Sequence, residues 1–367
     1  MFTSLFTVIG ILFSSSIFAV TSSDLQLEVE RRVVVCPKGH APKVTRVGPT
    51  HLLVGARTGF ARANSVSLVE SFDNGLTWSA PRSVFDSPDN DRIQMLATLP
   101  GGDVLLGFVR KDLKDETARA YLMWSQDKGR SWSQPTLLDP APFEWLFPYG
   151  RLFESSSGKL MMNAYGGYFP IYDDQAMPIE KRGYFSWLLE SSDGGRSWSH
   201  AATIGRGTQT IVVRLASGKL LAAMRSAELE AHAQSKKLFK DANAYVRVPD
   251  HTLITTSTDE GRTWSVPRSV TGSAELQGYP VESSSGAVVM TYTVRHPPFG
   301  LAVLVSKDGA QTWSKPMPLV SDAPTADVGL SQTLELEPDR FLTFYYQDDQ
   351  ASEKRKAEIV GVFWNLK

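Results

Sequence analysis

Short apolar segments recur along the chain, and each follows a turn that contains glycine or aspartate. Six of them share one register and cover residues 52–57, 105–110, 160–165, 220–225, 289–295 and 341–346, the fifth with one extra residue. Another short apolar segment precedes each of them. Runs of this length bounded by turn residues are typical of β-strands rather than of helices. The pattern therefore predicts six repeated units built from paired strands.

An eight-residue phrase, Ser-x-Asp-x-Gly-x-Ser/Thr-Trp, occurs five times between these segments. It covers residues 71–78, 125–132, 191–198, 257–264 and 306–313, with Ala310 in the place of glycine in the last copy. Aspartate accepts backbone hydrogen bonds within a turn, glycine adopts a positive φ, and tryptophan packs beneath the turn. We therefore interpret the phrase as a turn that stabilises the fold and carries no chemistry of its own.

Each unit predicts one blade with strands A to D in chain order and the tryptophan-containing turn between C and D. The fold class is therefore all-β: a six-bladed β-propeller of four-stranded antiparallel blades, forming one domain over residues 23–367. The last unit lacks the turn phrase, so residues 28–35 are expected to complete that blade. Two insertions, residues 166–182 and 226–250, interrupt the B-to-C connections, and the second has a composition that predicts a short helix in blade 4.

The amino-terminal residues have the composition of a signal peptide. Residues 1–20 contain no charged side chain and are largely apolar, and the polar sequence TSSDLQ follows. This pattern predicts a signal peptide over residues 1–22, and hence a secreted protein that is not bound to a membrane after cleavage. The single cysteine, Cys36, cannot form an internal disulfide and is expected to be buried in a strand.

Charge and residue spacing exclude several classes of partner. The 38 Lys and Arg residues balance 39 Asp and Glu residues, for a formal net charge of -1, so the basic surface that nucleic acid binding requires is absent. The six histidines are scattered, and no His or Cys spacing is typical of a metal site. We therefore expect no metal, no cofactor and no nucleic acid, and a monomer that binds a small molecule or a glycan.

The antiparallel order brings the starts of strands A and the ends of strands B to one end of the propeller, which we call the top face. The ends of strands B supply four arginines and two tyrosines: Arg57, Arg110, Tyr165, Arg225, Arg295 and Tyr346. An arginine donates two parallel hydrogen bonds to a carboxylate, so this ring predicts an anionic ligand, unless each arginine pairs with a neighbouring acid. The starts of strands A add His40, Asp91, Tyr149, Gln209 and Tyr279. His40 and Asp91 are the conventional acid/base candidates.

The turn phrase, the six units and the top-face arginines resemble the sialidase superfamily over residues 28–367. The resemblance implies three arginines that hold a substrate carboxylate, a tyrosine nucleophile activated by a glutamate, and an acid/base aspartate. Arg225 and Arg295 match two of those arginines, and Arg57 matches an additional one.

Four residues that the resemblance implies are absent. Residues 39–43 lack the first arginine, Gln209 stands for the glutamate, Leu330 stands for the tyrosine, and residues 58–64 contain no acid. We therefore do not expect an orthodox sialidase mechanism. Tyr149, Tyr279 and Asp91 are candidates for substitute catalytic roles.

Three functions remain as alternatives. The first is a sialidase-like glycosidase, with Asp91 as the acid and a substrate-binding set of Arg57, Arg110, Gln209, Arg225, Arg295 and Tyr346. The second is a polysaccharide lyase that cleaves next to glucuronate with His40 as the acid/base. The third is a binding propeller, or a biosynthetic enzyme similar to fungal proteins that promote a hetero-Diels-Alder step, with an apolar cradle of Phe147, Tyr165, Phe299 and Tyr346.

Overall fold

The computed structural model describes residues 25–59, 64–112, 117–168, 181, 183–226, 250–349 and 356–367. Blade 1 contains β2 (Gly39–Arg46), β3 (Leu52–Thr58), β4 (Ser65–Ser71) and β5 (Arg82–Phe85). Blade 2 contains β6 (Asn90–Thr98), β7 (Val104–Lys111), β8 (Ala118–Ser125) and β9 (Thr136–Leu137). Blade 3 contains β10 (Trp145–Glu154), β11 (Leu160–Gly167), β12 (Phe185–Ser191) and β13 (Ser199–Arg206).

The remaining blades follow in chain order. Blade 4 contains β14 (Thr208–Arg214), β15 (Leu220–Arg225), β16 (Thr252–Ser257) and β17 (Arg268–Ser269). Blade 5 contains β18 (Glu275–Glu282), β19 (Val288–Val294), β20 (Gly300–Ser306) and β21 (Met317–Val320). Blade 6 contains β22 (Val328–Glu337), β23 (Arg340–Asp349), β24 (Lys356–Leu366) and β1 (Leu27–Pro37).

The innermost strands β2, β6, β10, β14, β18 and β22 contact one another in order around a ring, and β22 contacts β2. The predicted all-β propeller with six four-stranded antiparallel blades is confirmed. The described part of the chain contains no α-helix, and the predicted helix in blade 4 falls mainly on residues 227–249, outside that part. The predicted signal peptide at residues 1–22 also lies outside it. No helix within the described ranges is long and apolar enough to cross a membrane.

The amino-terminal strand closes the ring, as the sequence predicts. β1 pairs antiparallel with β24, from Leu27 opposite Leu366 to Pro37 opposite Glu358. Cys36 is fully buried in this strand, and burial raises the pKa of its thiol to about 11. The sixth blade therefore combines the first and the last strand of the propeller, and Cys36 is an inert part of its core.

The tryptophan-containing turns lie at the end of the propeller opposite the top face, and the serine and aspartate of each copy make the same hydrogen bonds. In blade 1, Ser71 Oγ donates to Asp73 Oδ1 at 2.8 Å and accepts from the Gly75 N–H at 2.7 Å. Asp73 also accepts from the backbone N–H and the hydroxyl of Thr77, and Trp78 Nε1 donates to the Gly75 carbonyl. Because the side chains of Ser71, Asp73 and Trp78 all bond within the phrase, its eight residues specify the turn.

The fifth turn differs from the others at Ala310. This residue has a φ of 69°, in the left-handed region that glycine occupies in the other four copies. A Cβ in that region costs about 1 kcal/mol or more. Trp313 Nε1 finds no hydrogen-bond partner among the described residues, whereas Trp264 Nε1 in blade 4 donates to the Gly261 carbonyl at 2.9 Å.

We expect Ala310→Gly to raise the free energy of unfolding by about 0.5–1 kcal/mol, because it removes the left-handed strain at a smaller cost in unfolded-chain entropy. Chemical denaturation measures the change. The control is the reverse substitution in blade 4, Gly261→Ala, which should destabilise: φ there is 84°, and the added Cβ would meet Leu188 Cδ1 at 2.5 Å. A less stable Ala310→Gly variant would show that the turn is not strained.

All six innermost strands bulge near their starts, at the level where the site forms. The pairing register with the neighbouring strand B shifts within His40–Lys43 in blade 1 and at the corresponding place in the other blades. Four residues other than glycine have a positive φ at these bulges: Ala41, Gln209, Gln277 and Leu330. A bulge redirects the side chains next to it, so this level of the propeller presents side chains to the central channel.

Candidate functional site

Five side chains at the top face form a connected group across blades 1, 5 and 6. In blade 1, Arg57 lies opposite His40, and Arg57 Nη2 is 2.9 Å from His40 Nδ1. The His40 ring lies on the ring of Tyr346 in blade 6, with centroids 3.7 Å apart. The Tyr346 hydroxyl donates to Asp327 Oδ1 at 2.7 Å and accepts from Arg295 Nη2 at 3.3 Å. We call these five residues the seam cluster.

The Tyr346 hydroxyl lies between a carboxylate and a guanidinium. Tyr346, Asp327 and Arg295 are 3%, 5% and 6% exposed, so their hydrogen bonds are largely shielded from water. Asp327 can take the phenolic proton, and Arg295 donates to the oxygen on which negative charge would then develop. A base and a cation around one hydroxyl are what a tyrosine nucleophile requires. Tyr346 is predicted from its place at the end of a strand B as a substrate-binding residue, and no sequence pattern assigns a role to Asp327.

The hydrogen bond from Arg57 fixes the protonation of His40. A guanidinium can only donate, so His40 Nδ1 accepts, and the neutral ring carries its proton on Nε2. In this form the hydrogen-bond donor of the ring is Nε2. The lyase hypothesis needs a group that also accepts a proton, and in this arrangement the accepting nitrogen is already bonded to Arg57.

The other two arginines of the predicted ring face buried carboxylates. Arg110 Nε donates to Asp91 Oδ1 at 3.2 Å, and Asp91 is fully buried. Burial raises the pKa of Asp91. Arg225 Nε donates to Asp250 Oδ2 at 2.5 Å. The structure thus pairs Arg110 and Arg225 with acids, the alternative that the sequence left open, and it brings Arg57 and Arg295 together in the seam cluster.

Two contacts cross the central channel between blades that are not neighbours. Lys43 on β2 of blade 1 places its Nζ 4.2 Å from the ring centroid of Tyr149 on β10 of blade 3. Arg151, also on β10, donates from Nε to the Tyr279 hydroxyl of blade 5 at 2.6 Å and from Nη2 to the Thr333 carbonyl of blade 6 at 2.6 Å. Along β10, Arg151 follows Tyr149 and lies farther from the top face. The channel is therefore bridged at two levels.

The predicted catalytic tyrosines lie in this channel. Burial raises the pKa of Tyr149 above its usual value, and the nearby Tyr279 adds to the effect. No described residue offers a carboxylate to the hydroxyl of Tyr149, and Tyr279 accepts its hydrogen bond from a cation, Arg151. Gln209, the predicted replacement for a glutamate, accepts a hydrogen bond from Gln277 Nε2 of blade 5. The tyrosine that does contact a carboxylate is Tyr346.

The predicted apolar cradle is split between two places. The rings of Phe147 and Tyr165 lie 5.2 Å apart, and those of Tyr149 and Tyr165 lie 5.6 Å apart. Tyr165 is 7% exposed and belongs to the hydrophobic core. These aromatic residues pack within blade 3, whereas Tyr346 packs on His40.

Sequence reasoning missed Lys43, Asp250, Asp327 and Gln277. Asp327 stands directly before the first strand of blade 6, where Val328 pairs with Gln347, so strand pairing alone places it near Tyr346. Lys43 gave no signal, because a lysine in a strand usually faces solvent. Within the described ranges no group of His, Cys, Asp and Glu could hold a metal ion. A cleft of about 340 Å³ between blades 2 and 3 includes Glu154 and Asp193, but it lies among the turns of the opposite face.

Comparison with known proteins identifies the family. The family model of the BNR repeat-like domain matches residues 14–162, 94–244 and 175–355, which together span more than half of the chain. The chain belongs to the BNR repeat-like domain family. No curated protein matches the sequence.

Three solved structures show what this BNR repeat-like chain is similar to. A protein of unknown function from Dyadobacter fermentans superposes with a TM-score of 0.75 at 17% identity, covering 93% of this chain and 99% of that chain. The sialidase of Trypanosoma rangeli superposes with a TM-score of 0.60 at 17% identity. The match covers 90% of this chain and 55% of the sialidase, so this chain spans about half of the sialidase's length. The NanB sialidase of Streptococcus pneumoniae superposes with a TM-score of 0.62 at 14% identity, and the match covers 92% of this chain and 70% of the sialidase. At these identities the likeness shows the fold, and the predicted sialidase-like propeller is confirmed.

Proposed function

We propose that this BNR repeat-like protein is a carbohydrate-active enzyme that hydrolyses the glycosidic bond of a sugar bearing a carboxylate. The observation that carries the proposal is the Tyr346 hydroxyl held between Asp327 and Arg295. The sialidase-like fold and the likeness to solved sialidases support a carbohydrate ligand. Arg57 and Arg295 supply positive charge on two sides of Tyr346, which favours an anionic sugar in this part of the channel.

The seam cluster provides the groups for a covalent first step. Tyr346 Oη forms a bond to the anomeric carbon while the bond to the leaving oxygen breaks, and the phenolic proton passes to Asp327. A water molecule then attacks the same carbon, the bond to Tyr346 breaks, the proton on Asp327 returns to the phenolate, and the proton of the water goes to solvent. An aryl leaving group departs as a phenolate and needs no acid.

The test is a panel of methylumbelliferyl glycosides with matched charged and neutral sugars. We expect fluorescence release from a sialoside or a glucuronide and none from a galactoside, because only the first two carry the carboxylate. Absence of release from every member would overturn the proposed hydrolysis. Formation of an unsaturated uronide from a glucuronate-containing polymer, without release of free umbelliferone, would instead favour the lyase hypothesis.

A further inference from the structure

Lys43 is a buried cation that pairs with no acid among the described residues. Its side chain lies on β2 and is 1% exposed, yet no hydrogen bond from its Nζ to a described carboxylate or carbonyl is present. The contact that it does make is with the face of the Tyr149 ring. A ring face replaces only part of the hydration that an ammonium loses on burial, so this position is incomplete as it stands.

The groups that face Lys43 come from two other elements. Arg57 on β3 lies close enough to repel the ammonium, and Tyr149 on β10 presents an uncharged ring. Burial, together with the charge of Arg57, lowers the pKa of Lys43 to about 7. No acid on these elements offsets the two effects. An anion at Lys43 would supply the acceptor that Nζ lacks and would reduce the repulsion from Arg57.

We propose that Lys43 receives the carboxylate of a sugar acid that enters the channel from the top face, beneath the seam cluster. The identity of the ligand as a sugar acid rests on the proposed function, whereas the anion site rests on Lys43 alone. Lys43 would then hold the charged group of the ligand at the bottom of the site, and the seam cluster above it would face the sugar ring.

This assignment makes binding depend on pH in one direction. The anion binds the charged form of Lys43, so affinity is highest below about pH 7 and falls as the pH rises through that value. The bound anion in turn favours the ammonium form. Binding near neutral pH therefore takes up protons from the buffer.

The test is calorimetric titration of the full chain with N-acetylneuraminate and with glucuronate, in two buffers of different ionisation heat. We expect the wild-type protein to bind one of these acids with net proton uptake. Lys43→Met keeps the length of the side chain and removes the charge, so affinity should fall by about tenfold or more and the proton uptake should disappear. Its melting temperature should not fall, because the variant removes an unpaired buried charge.

The matched control is Lys159→Met. It removes a lysine directly before β11, away from the top face, whose Nζ pairs with Glu190 at 2.9 Å. It should leave affinity and proton uptake unchanged. Wild-type protein that binds neither acid, that binds without proton uptake, or that matches Lys43→Met in affinity overturns the Lys43 site. Lys43-dependent binding without glycoside turnover overturns the proposed hydrolysis and leaves the anion site intact. The wild-type measurement decides the question even where the variant does not fold.

Discussion

Tyr346→Phe is expected to reduce hydrolysis of the anionic aryl glycoside by at least about 10²–10⁴-fold. The substitution removes the hydroxyl that contacts Asp327 and Arg295, and it keeps the ring on which His40 packs. A nucleophile acts in the transition state, so the loss should appear in kcat more than in KM. Steady-state kinetics with the methylumbelliferyl substrate measures both, and thermal unfolding confirms that the variant is folded.

The adjacent residue provides the control. Tyr345 is fully buried on the same strand, and its hydroxyl lies 3.5 Å from Gln347 Oε1 rather than near the seam cluster. Tyr345→Phe should keep activity within about twofold of the wild type, because a change this far from the reacting atoms alters little beyond packing. Asp327→Asn, which removes the base, should lose activity as Tyr346→Phe does. Full activity in Tyr346→Phe would show that Tyr346 is not the nucleophile, and Tyr149 and Tyr279 would then be the next candidates.

Removal of residues 1–37 is expected to prevent folding of the propeller. The deletion takes away all of β1, so β24 becomes an unpaired edge and the packing of Val35 and Cys36 against Ile359 and Phe363 is lost. Exposed strand edges and apolar side chains promote aggregation. Soluble yield and circular dichroism measure the outcome.

The control for this deletion is a chain that lacks only residues 1–24 and keeps β1 complete. It should yield soluble protein with the same cooperative unfolding transition as the longer chain. If the chain that begins at residue 38 melted at the same temperature as this control, three strands would suffice for the sixth blade and the closure by β1 would be dispensable.

The repeats predict the blades because their information is local. The polar side chains of Ser71, Asp73 and Trp78 bond within the eight residues of their turn, so the phrase predicts the same turn wherever it occurs. The completion of the last blade by β1 also follows from the sequence. The sixth unit has one strand too few, and the strand at residues 28–35 belongs to no unit of its own. The same alignment predicts Arg57, Arg295 and Tyr346 at the ends of strands B, and the structure places all three in the seam cluster.

The chemistry of the site is less local. Tyr346 meets Arg295 from the preceding blade, and Lys43 meets Tyr149 across the channel, so neither contact leaves a spacing pattern in the chain. The pairing of Arg110 with Asp91 is predictable from the strand order, since the two residues lie opposite each other on β7 and β6. Residue type alone predicts Asp91 as an acid, whereas strand pairing places a cation directly across the sheet from it.

The bridge that Arg151 forms between blades 3, 5 and 6 has a kinetic consequence. A molecule that enters the channel at the top face meets this bridge, which lies across its way to the opposite end. In the proposed hydrolysis, substrate and product therefore use the same opening at the top face. The released sugar acid has to leave before the next substrate binds, so it should inhibit competitively. Substitutions in the tryptophan-containing turns at the opposite end should leave this inhibition unchanged.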